Sequence, residues 1–380
     1  MNIKHIKKIL LPALLLLALG LGGCGETAPL PEANGTVDAV SLAERSAVRI
    51  DEISEEYRDH YAVYYTAEEF TALMDNITGS YIGIGVYIYE NQENGRVTIL
   101  SAIKDSSAYE AGLRPGDQIL RVNGEDVTQE TSESLSSMFK TAEVGTSFEL
   151  TVFRPDEGEL DFTVVVSDVE YPTVDYKMLS AESGVGLIKI SSFNMLTDEQ
   201  FSDAYEALLE EGMKGLILDL RDNGGGEVTS ALSIADYLTD EDANLMYMVK
   251  TDGVYSYYGE KERYDIPLVT LQNGNSASAS ELLLGAIQDN EAGTLMGTLS
   301  FGKGIVQSIV SLDSGAGLRY TFARYLTADG HEVQDVGITP DIVCEQPEGT
   351  AVFASYLMDP EEDPQLTAAM EEMERQLAAS

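Results

Sequence analysis

Apolar and polar positions divide the chain into blocks of different period. Over residues 38–58, Val40, Ala43, Ala47, Ile50 and Ile53 recur at helical spacing and predict one amphipathic helix. Alone such a helix is marginal, so its stripe needs cover from the body of the protein or from a second copy of the chain. A shorter helix is predicted from Thr66 to Met74, where Thr66 and Glu69 have capping-box spacing. From Gly79 the period changes. Residues 81–88, 97–103, 118–122, 148–152 and 162–166 read as strands, with a short helix stopping at Gly112, turns at 115–117 and 123–124, and a helix near 131–140. After Pro172 strand and helix patterns alternate. Strands are predicted at 185–190, 215–220, 267–271, 294–297, 305–312 and 318–325. Helices are predicted on Phe201, Ala204, Tyr205 and Leu208 after a capping box at Thr197, over 228–238, and over a segment ending near Asn290. The continuous apolar runs at 215–220 and 267–271 imply strands buried on both faces, hence an α/β fold with a mainly parallel sheet. In such sheets active groups collect just past the carboxyl ends of strands, which marks 221–226 and 272–281.

The length of 380 residues suggests two or three domains. Charge narrows the classes of partner: 65 Asp+Glu against 23 Lys+Arg give a net −42. That excludes the basic footprint of a nucleic-acid binder and disfavours an anionic bilayer surface. At the N-terminus, Lys4, Lys7 and Lys8 precede an apolar run over 9–21, the layout of a secretory signal and too short for a comfortable spanning helix. Leu21-Gly22-Gly23-Cys24 resembles a bacterial lipoprotein lipobox. The resemblance implies a signal peptide over 1–23, a diacylglyceryl group on the Cys24 sulfur, a tether over 24–37, and a chain anchored to a membrane on its extracytoplasmic side. Cys344 is the one other cysteine and reads as a small buried hydrophobe. Two cysteines and three histidines leave no zinc site of the usual kind, and neither metal nor cofactor is expected.

The histidines also bear on catalysis. His5, His60 and His331 lie away from every candidate nucleophile, which argues against a Ser-His-Asp triad. A serine would need another base. The segment 272–281 carries Ser276, Ser278 and Ser280 at a predicted helix start, where N–H groups favour developing negative charge. Local sequence does not choose among the three, and Ser278 with Glu281 also fits a plain capping box. Lys303 is the candidate base. Phe301, Ile305 and Val306 can bury it, and burial lowers an amine pKa. Gln307, four residues on, would share its face of a strand and could orient the amine without adding charge. The alternative is a surface lysine. The Gly224-Gly225-Gly226 turn offers a backbone N–H to an oxyanion, or is only a strand-to-helix turn. Residues 297–303 fit the first seven positions of a P-loop, but Gly304 stands where Ser or Thr would hold magnesium, so nucleotide binding is set aside.

Residues 79–168, through the string from Ala111 to Gly124, resemble the permuted PDZ domains of bacterial proteases. That implies capture of a peptide C-terminus as an added strand, with Ile82, Gly83, Ile84 and Gly85 as the carboxylate-binding loop. With the strings at 219–226, 276–281, 301–304 with Gln307, and 337–342, the chain resembles the C-terminal (tail-specific) processing peptidases, S41-type serine peptidases. The resemblance implies a ClpP/crotonase-like α/β catalytic domain over 169–350, N-terminal helices over 38–78 and a helical tail over 351–380. It implies Ser278 as nucleophile, Lys303 as base, Gln307 as its support, and an oxyanion hole from the N–H groups of Ala279 and a glycine of 224–226. Relatives usually carry proline at Gly224, and proline has no N–H, so Gly225 is the implied donor. Glycine at 224 also loosens the loop, so the hole need not be preformed. The implied function is a Ser-Lys endopeptidase that cuts unfolded or flexible proteins recognised by their C-terminal tails. Relatives dimerise through long N-terminal helices, and this region is short here. The alternative is a PDZ adaptor without catalysis.

Overall fold

A computed structural model describes residues 61–92, 94–250, 253–261, 263–346 and 363–379. The expected signal peptide, Cys24, the tether, the 38–58 helix, His60, residues 347–350 and residues 351–362 of the tail lie outside the described residues. The described chain opens with β1 (Val63–Tyr65) and α1 (Ala67–Thr78). Thr66 closes both halves of its capping box: its N–H donates to Glu69 Oε2 at 2.8 Å, and its Oγ1 accepts the Glu69 N–H at 3.3 Å. The helix runs past the predicted Met74, and its last turn is held by the Met195 N–H on the Ile77 carbonyl, 2.8 Å.

Residues 78–172 form one compact unit, and the described chain on either side forms another. The first holds β2 (Ser80–Gly83), β3 (Val86–Glu90), β4 (Val97–Ala102), α2 (Ser107–Ala111), β5 (Gln118–Val122), β6 (Glu125–Asp126), α3 (Ser132–Thr141), β7 (Ser147–Arg154), β8 (Gly158–Val165) and β9 (Ser167–Glu170). Its main sheet runs β3-β4-β5-β7-β8, and β2 pairs antiparallel with β9. β7 alternates exposed and buried positions as its sequence pattern requires, and places Leu150 and Val152 in a core with Ile99, Ile119 and Leu135. Gly112 ends α2 at φ 89°, a left-handed cap that suits glycine.

The second unit continues with β10 (Val174–Ser180), β11 (Val185–Ile190), α4 (Thr197–Glu210), β12 (Gly215–Asp219), α5 (Val228–Leu238), β13 (Asn244–Lys250), β14 (Gly253–Tyr258), β15 (Leu268–Gln272), α6 (Ala279–Asp289), β16 (Thr294–Gly297), β17 (Ile305–Ser311), β18 (Gly317–Leu326), β19 (Ile342–Val343) and α7 (Pro364–Ala379). One sheet runs β10-β11-β12-β15-β16-β19, parallel from β11 onward with β10 antiparallel. Both faces are buried. Ile188, Ile190, Leu216 and Leu218 face the cluster holding α4, α5 and α6, while Leu187, Ile217, Val269 and Leu271 face α7. Burial of Leu366 and Met373 on that second face contributes about 1.5–3 kcal/mol each. A second sheet is antiparallel, β1-β18-β13-β14 with β17 on β18, so the unit is less uniformly parallel than its apolar runs suggest.

Thr197 corrects one local expectation. It is the first helical residue of α4, behind an N-cap at Leu196 that makes no side-chain bond. Its hydroxyl instead accepts the Asn194 N–H at 2.8 Å and pairs with Thr173 Oγ1 at 2.7 Å. These buried partners take the group that a solvent-facing cap would offer the helix.

Candidate active site

The site begins where β12 and β15, adjacent and parallel, release their chains. Arg221 opens the first loop and is fully buried. Its guanidinium meets Asp219 at 2.8 Å and Asp363 at 2.7 Å, and donates to Gln365 Oε1 at 3.0 Å. Lys189 Nζ approaches Asp219 at 3.4 Å and donates to the Arg221 carbonyl at 3.1 Å. Burial alone would raise the Asp219 pKa; the Arg221 and Lys189 charges outweigh it and hold the carboxyl well below its ordinary range. The base of the glycine loop is thus tied to the start of α7.

The two loops are then sewn together. Ser276 Oγ donates to the Leu220 carbonyl at 2.8 Å, and Ser280 Oγ to the Asn223 carbonyl at 2.8 Å. Both serines are fully buried. Ser278 is half-buried and takes φ 57°, ψ −114°, a backbone conformation costly for a residue with a side chain. Gly225 explains how the loop comes so close: a Cβ there would lie 2.9 Å from Ser278 Cβ and 2.6 Å from the Ala277 carbonyl oxygen.

Glu281 holds the other side. Fully buried, its carboxylate accepts four donors: the Ser278 N–H at 2.9 Å, the Lys303 N–H at 2.8 Å, the Gly302 N–H at 2.6 Å and Ser300 Oγ at 2.6 Å. Ser300 Oγ in turn accepts the Ile338 N–H at 2.6 Å. Tyr325 forms a second bridge, its hydroxyl donating to the carbonyls of Ser278 (2.9 Å) and Lys303 (3.2 Å). Two side chains therefore fix the backbones of the candidate nucleophile and base to one another. Burial, and then the Arg319 charge, push the Lys303 amine below its ordinary pKa, against the pull of Glu281. Burial and Glu281 push the Tyr325 phenol far up, so it stays a donor.

Two predicted partners make hydrogen bonds of their own. Lys303 lies in irregular chain before β17, so same-face strand spacing does not apply to it and Gln307. Gln307 Nε2 donates to the Tyr61 carbonyl at 3.0 Å. The Gly225 N–H donates to Asn223 Oδ1 at 2.9 Å, a local turn in which the side chain mimics a backbone carbonyl. The Gly224 and Ala279 N–H groups make no hydrogen bond among the described residues.

In the 78–172 unit, Ile82 and Gly83 pair with Asp168 and Ser167, Ile84 is buried, and Gly85 takes φ 84° against Ser106, where a Cβ would meet the Ser106 side chain at 2.1 Å. β3, just past this loop, is the edge of its sheet, and α3 packs beside it. An unpaired edge next to a helix can accept an extended peptide.

Residues 184–344 match the model of peptidase family S41, and residues 98–154 match a PDZ domain. The chain is 33% identical over 292 residues to the carboxy-terminal processing protease CtpA of Bacillus subtilis, covering 76% of this chain and 62% of that protein. It is 36% identical over 286 residues to a carboxyl-terminal-processing protease of Synechocystis, covering 74% of this chain and 66% of that protein. Residues 184–344 belong to peptidase family S41. The chain spans about two thirds of the length of these curated relatives. A solved S41-protease structure from Bacteroides fragilis shares the fold at 16% identity, with a TM-score of 0.51 over 92% of each chain.

Several residues of this S41 site escape sequence reasoning. Glu281 was visible only as a capping-box partner, and its contacts with 300–303 were not. Asn223 carried a turn signal in Asn-Gly. Tyr325, Tyr61 and Asp363 stand in segments with no motif at all.

Proposed function

We propose that the chain is a serine endopeptidase in which Ser278 is the nucleophile and Lys303 the general base, acting on proteins presented by their C-terminal tails. One observation carries the reading. Of the three serines at the start of α6, the hydroxyls of Ser276 and Ser280 are buried and spent on the glycine loop, while Ser278 sits half-buried in a strained conformation tied to Lys303 through Glu281 and Tyr325. Ser278 Oγ bonds to the scissile carbonyl carbon as its proton passes to the neutral Lys303 amine. The tetrahedral oxyanion accepts the Ala279 N–H and one from the glycine loop. The Gly224 N–H makes no hydrogen bond among the described residues, whereas the Gly225 N–H would first have to leave Asn223. The intermediate collapses, Lys303 returns the proton to the departing amine, and water opens the acyl-enzyme by the same route. The tail would add as a strand to the free edge of β3, beside the Ile82–Gly85 loop.

Incubation with unfolded casein tests the chemistry. Wild type cuts it, while Ser278→Ala and Lys303→Ala lose at least ~1,000-fold in rate. Cutting by Ser278→Ala would remove the assignment, and tail binding without cutting by wild type would favour an adaptor. A lipid anchor at Cys24 and an extracytoplasmic location complete the reading. They rest on the lipobox-like residues 21–24 alone. Expressed in a bacterial host, wild type should partition into membranes and a Cys24→Ser chain should not; equal partitioning would refute the anchor.

A further inference from the structure

We propose that Tyr61 is a positioning residue for the Lys303 base, orienting Gln307 through its carbonyl and anchoring the chain beside Lys303 through its hydroxyl. The inference rests on the function proposed above. Tyr61 precedes β1, which pairs with β18 through Val63 and Arg319; β17, carrying Gln307, pairs with the same strand through Ile309 and Arg319. The N-terminal strand is thereby brought to the base.

Two contacts then matter. The Tyr61 carbonyl is an acceptor only, and it takes Gln307 Nε2 at 3.0 Å. That selects one of the two orientations of the amide, nitrogen toward Tyr61 and oxygen away. A neutral lysine amine has one lone pair and two N–H groups. Proton abstraction needs the lone pair free for the serine, so the N–H groups must find acceptors. We assign the Gln307 oxygen as one such acceptor, the role the proposed dyad gives it. A glutamine free to flip would present its NH2 and compete for the lone pair. The second contact acts through Gln334. Its Nε2 donates to the Tyr61 hydroxyl at 3.3 Å, and its Oε1 accepts the Gly304 N–H at 3.0 Å. Gly304 lies so close to this segment that a Cβ on it would come 2.5 Å from the Gln334 nitrogen. Nearby, the Asp335 N–H donates to the Gly302 carbonyl at 2.9 Å. Residues on both sides of Lys303 are therefore held by 334–335, and Tyr61 holds Gln334. The charged and titratable groups around Lys303 are Glu281 from α6, Arg319 and Tyr325 from β18, Asp335 from the 333–337 segment, and Tyr61 itself.

Tyr61→Phe removes the hydroxyl contact and keeps the carbonyl; Tyr61→Ala removes the whole side chain beyond Cβ. Tyr61→Phe should lower kcat about three- to tenfold, the worth of one hydrogen bond, with KM within about twofold. The rising limb of its pH–rate profile should move to higher pH, because a looser loop admits water and restores the amine toward its ordinary pKa. Tyr61→Ala should lose more. Tyr61→Phe with Gln334→Ala should cost about as much as Gln334→Ala alone, since both break one chain of contacts. Competitive acylation of the Lys303 amine as a function of pH, read by mass spectrometry, reports the same shift without any turnover. If wild type proved not to be a peptidase, this labelling would still decide the Tyr61 claim. Unchanged kcat and unchanged Lys303 labelling in Tyr61→Phe would overturn the proposal. A rise in kcat would overturn it too, because the segment would then restrain the base.

Discussion

At the residue scale the site turns on two buried polar side chains, Glu281 and Tyr325. A carboxylate placed in a core is costly unless its lone pairs are taken, and Glu281 fills its own with three N–H groups and one hydroxyl. Those N–H groups belong to the segments carrying Ser278 and Lys303, so satisfying the charge also sets the distance between the two backbones. The same charge opposes the deprotonation that a lysine base needs, and burial with Arg319 outweighs it. The sign of the pH dependence follows. On the proposed mechanism the neutral amine is the active form, so activity should rise as pH passes the depressed Lys303 pKa. Arg319→Ala removes a cation that disfavours the charged amine; the Lys303 pKa rises, and the limb of the pH–rate profile shifts to higher pH. A limb that stays in place, or moves to lower pH, would contradict this electrostatic account.

At the element scale, α7 is held to the rest of the unit by more than its apolar face. Asp363 caps it, accepting the N–H groups of Gln365 and Leu366 at 3.1 Å each, while pairing with Arg221 across 142 residues of sequence. Asp363→Ala leaves a fully buried guanidinium with one carboxylate instead of two, which should cost about 3–5 kcal/mol in urea unfolding. A loss under about 1 kcal/mol would show that α7 is held by Leu366 and Met373 alone. This contact also marks the boundary of what the sequence makes legible. The order β11, α4, β12, α5, β15 and α6 followed from apolar runs, helical stripes and the glycines at their ends, because local period and turn chemistry encode them directly. The serine string and the lysine between two glycines could be read as candidates for the same reason. The contacts that tie them together could not. Gln307 meets Tyr61 across 246 residues, and Arg221 meets Asp363 across 142, so no local spacing reports either. The Tyr-rich stretch that forms β13 and β14 went unread because both faces of the ribbon carry apolar or aromatic side chains, blurring a period of two.

At the scale of the whole molecule, the 78–172 unit is an insertion whose two ends lie side by side. Ser80 pairs with Glu170 and Tyr81 with Val169, and the Tyr171 N–H donates to the Gly79 carbonyl at 2.7 Å. A chain that leaves and returns through a paired ribbon can be shortened at that ribbon without stretching what remains. The unit also has its own core, separate from the two clusters that bury the parallel sheet. Replacing residues 79–171 by a short Gly-Ser linker should therefore leave β1, α1 and the parallel sheet folded, with Tyr61 still on Gln307 and Ser278 still tied to Lys303. Casein should be cut within about an order of magnitude of the wild-type rate. What should disappear is discrimination. Wild type should cut a substrate with a free C-terminal carboxylate faster than the same substrate amidated at that end, because a carboxylate bound by backbone N–H groups loses its charge on amidation. In the shortened protein the two rates should converge. If the ratio survived the excision, tail recognition would lie in the S41 unit itself, and the free edge of β3 would need another occupant.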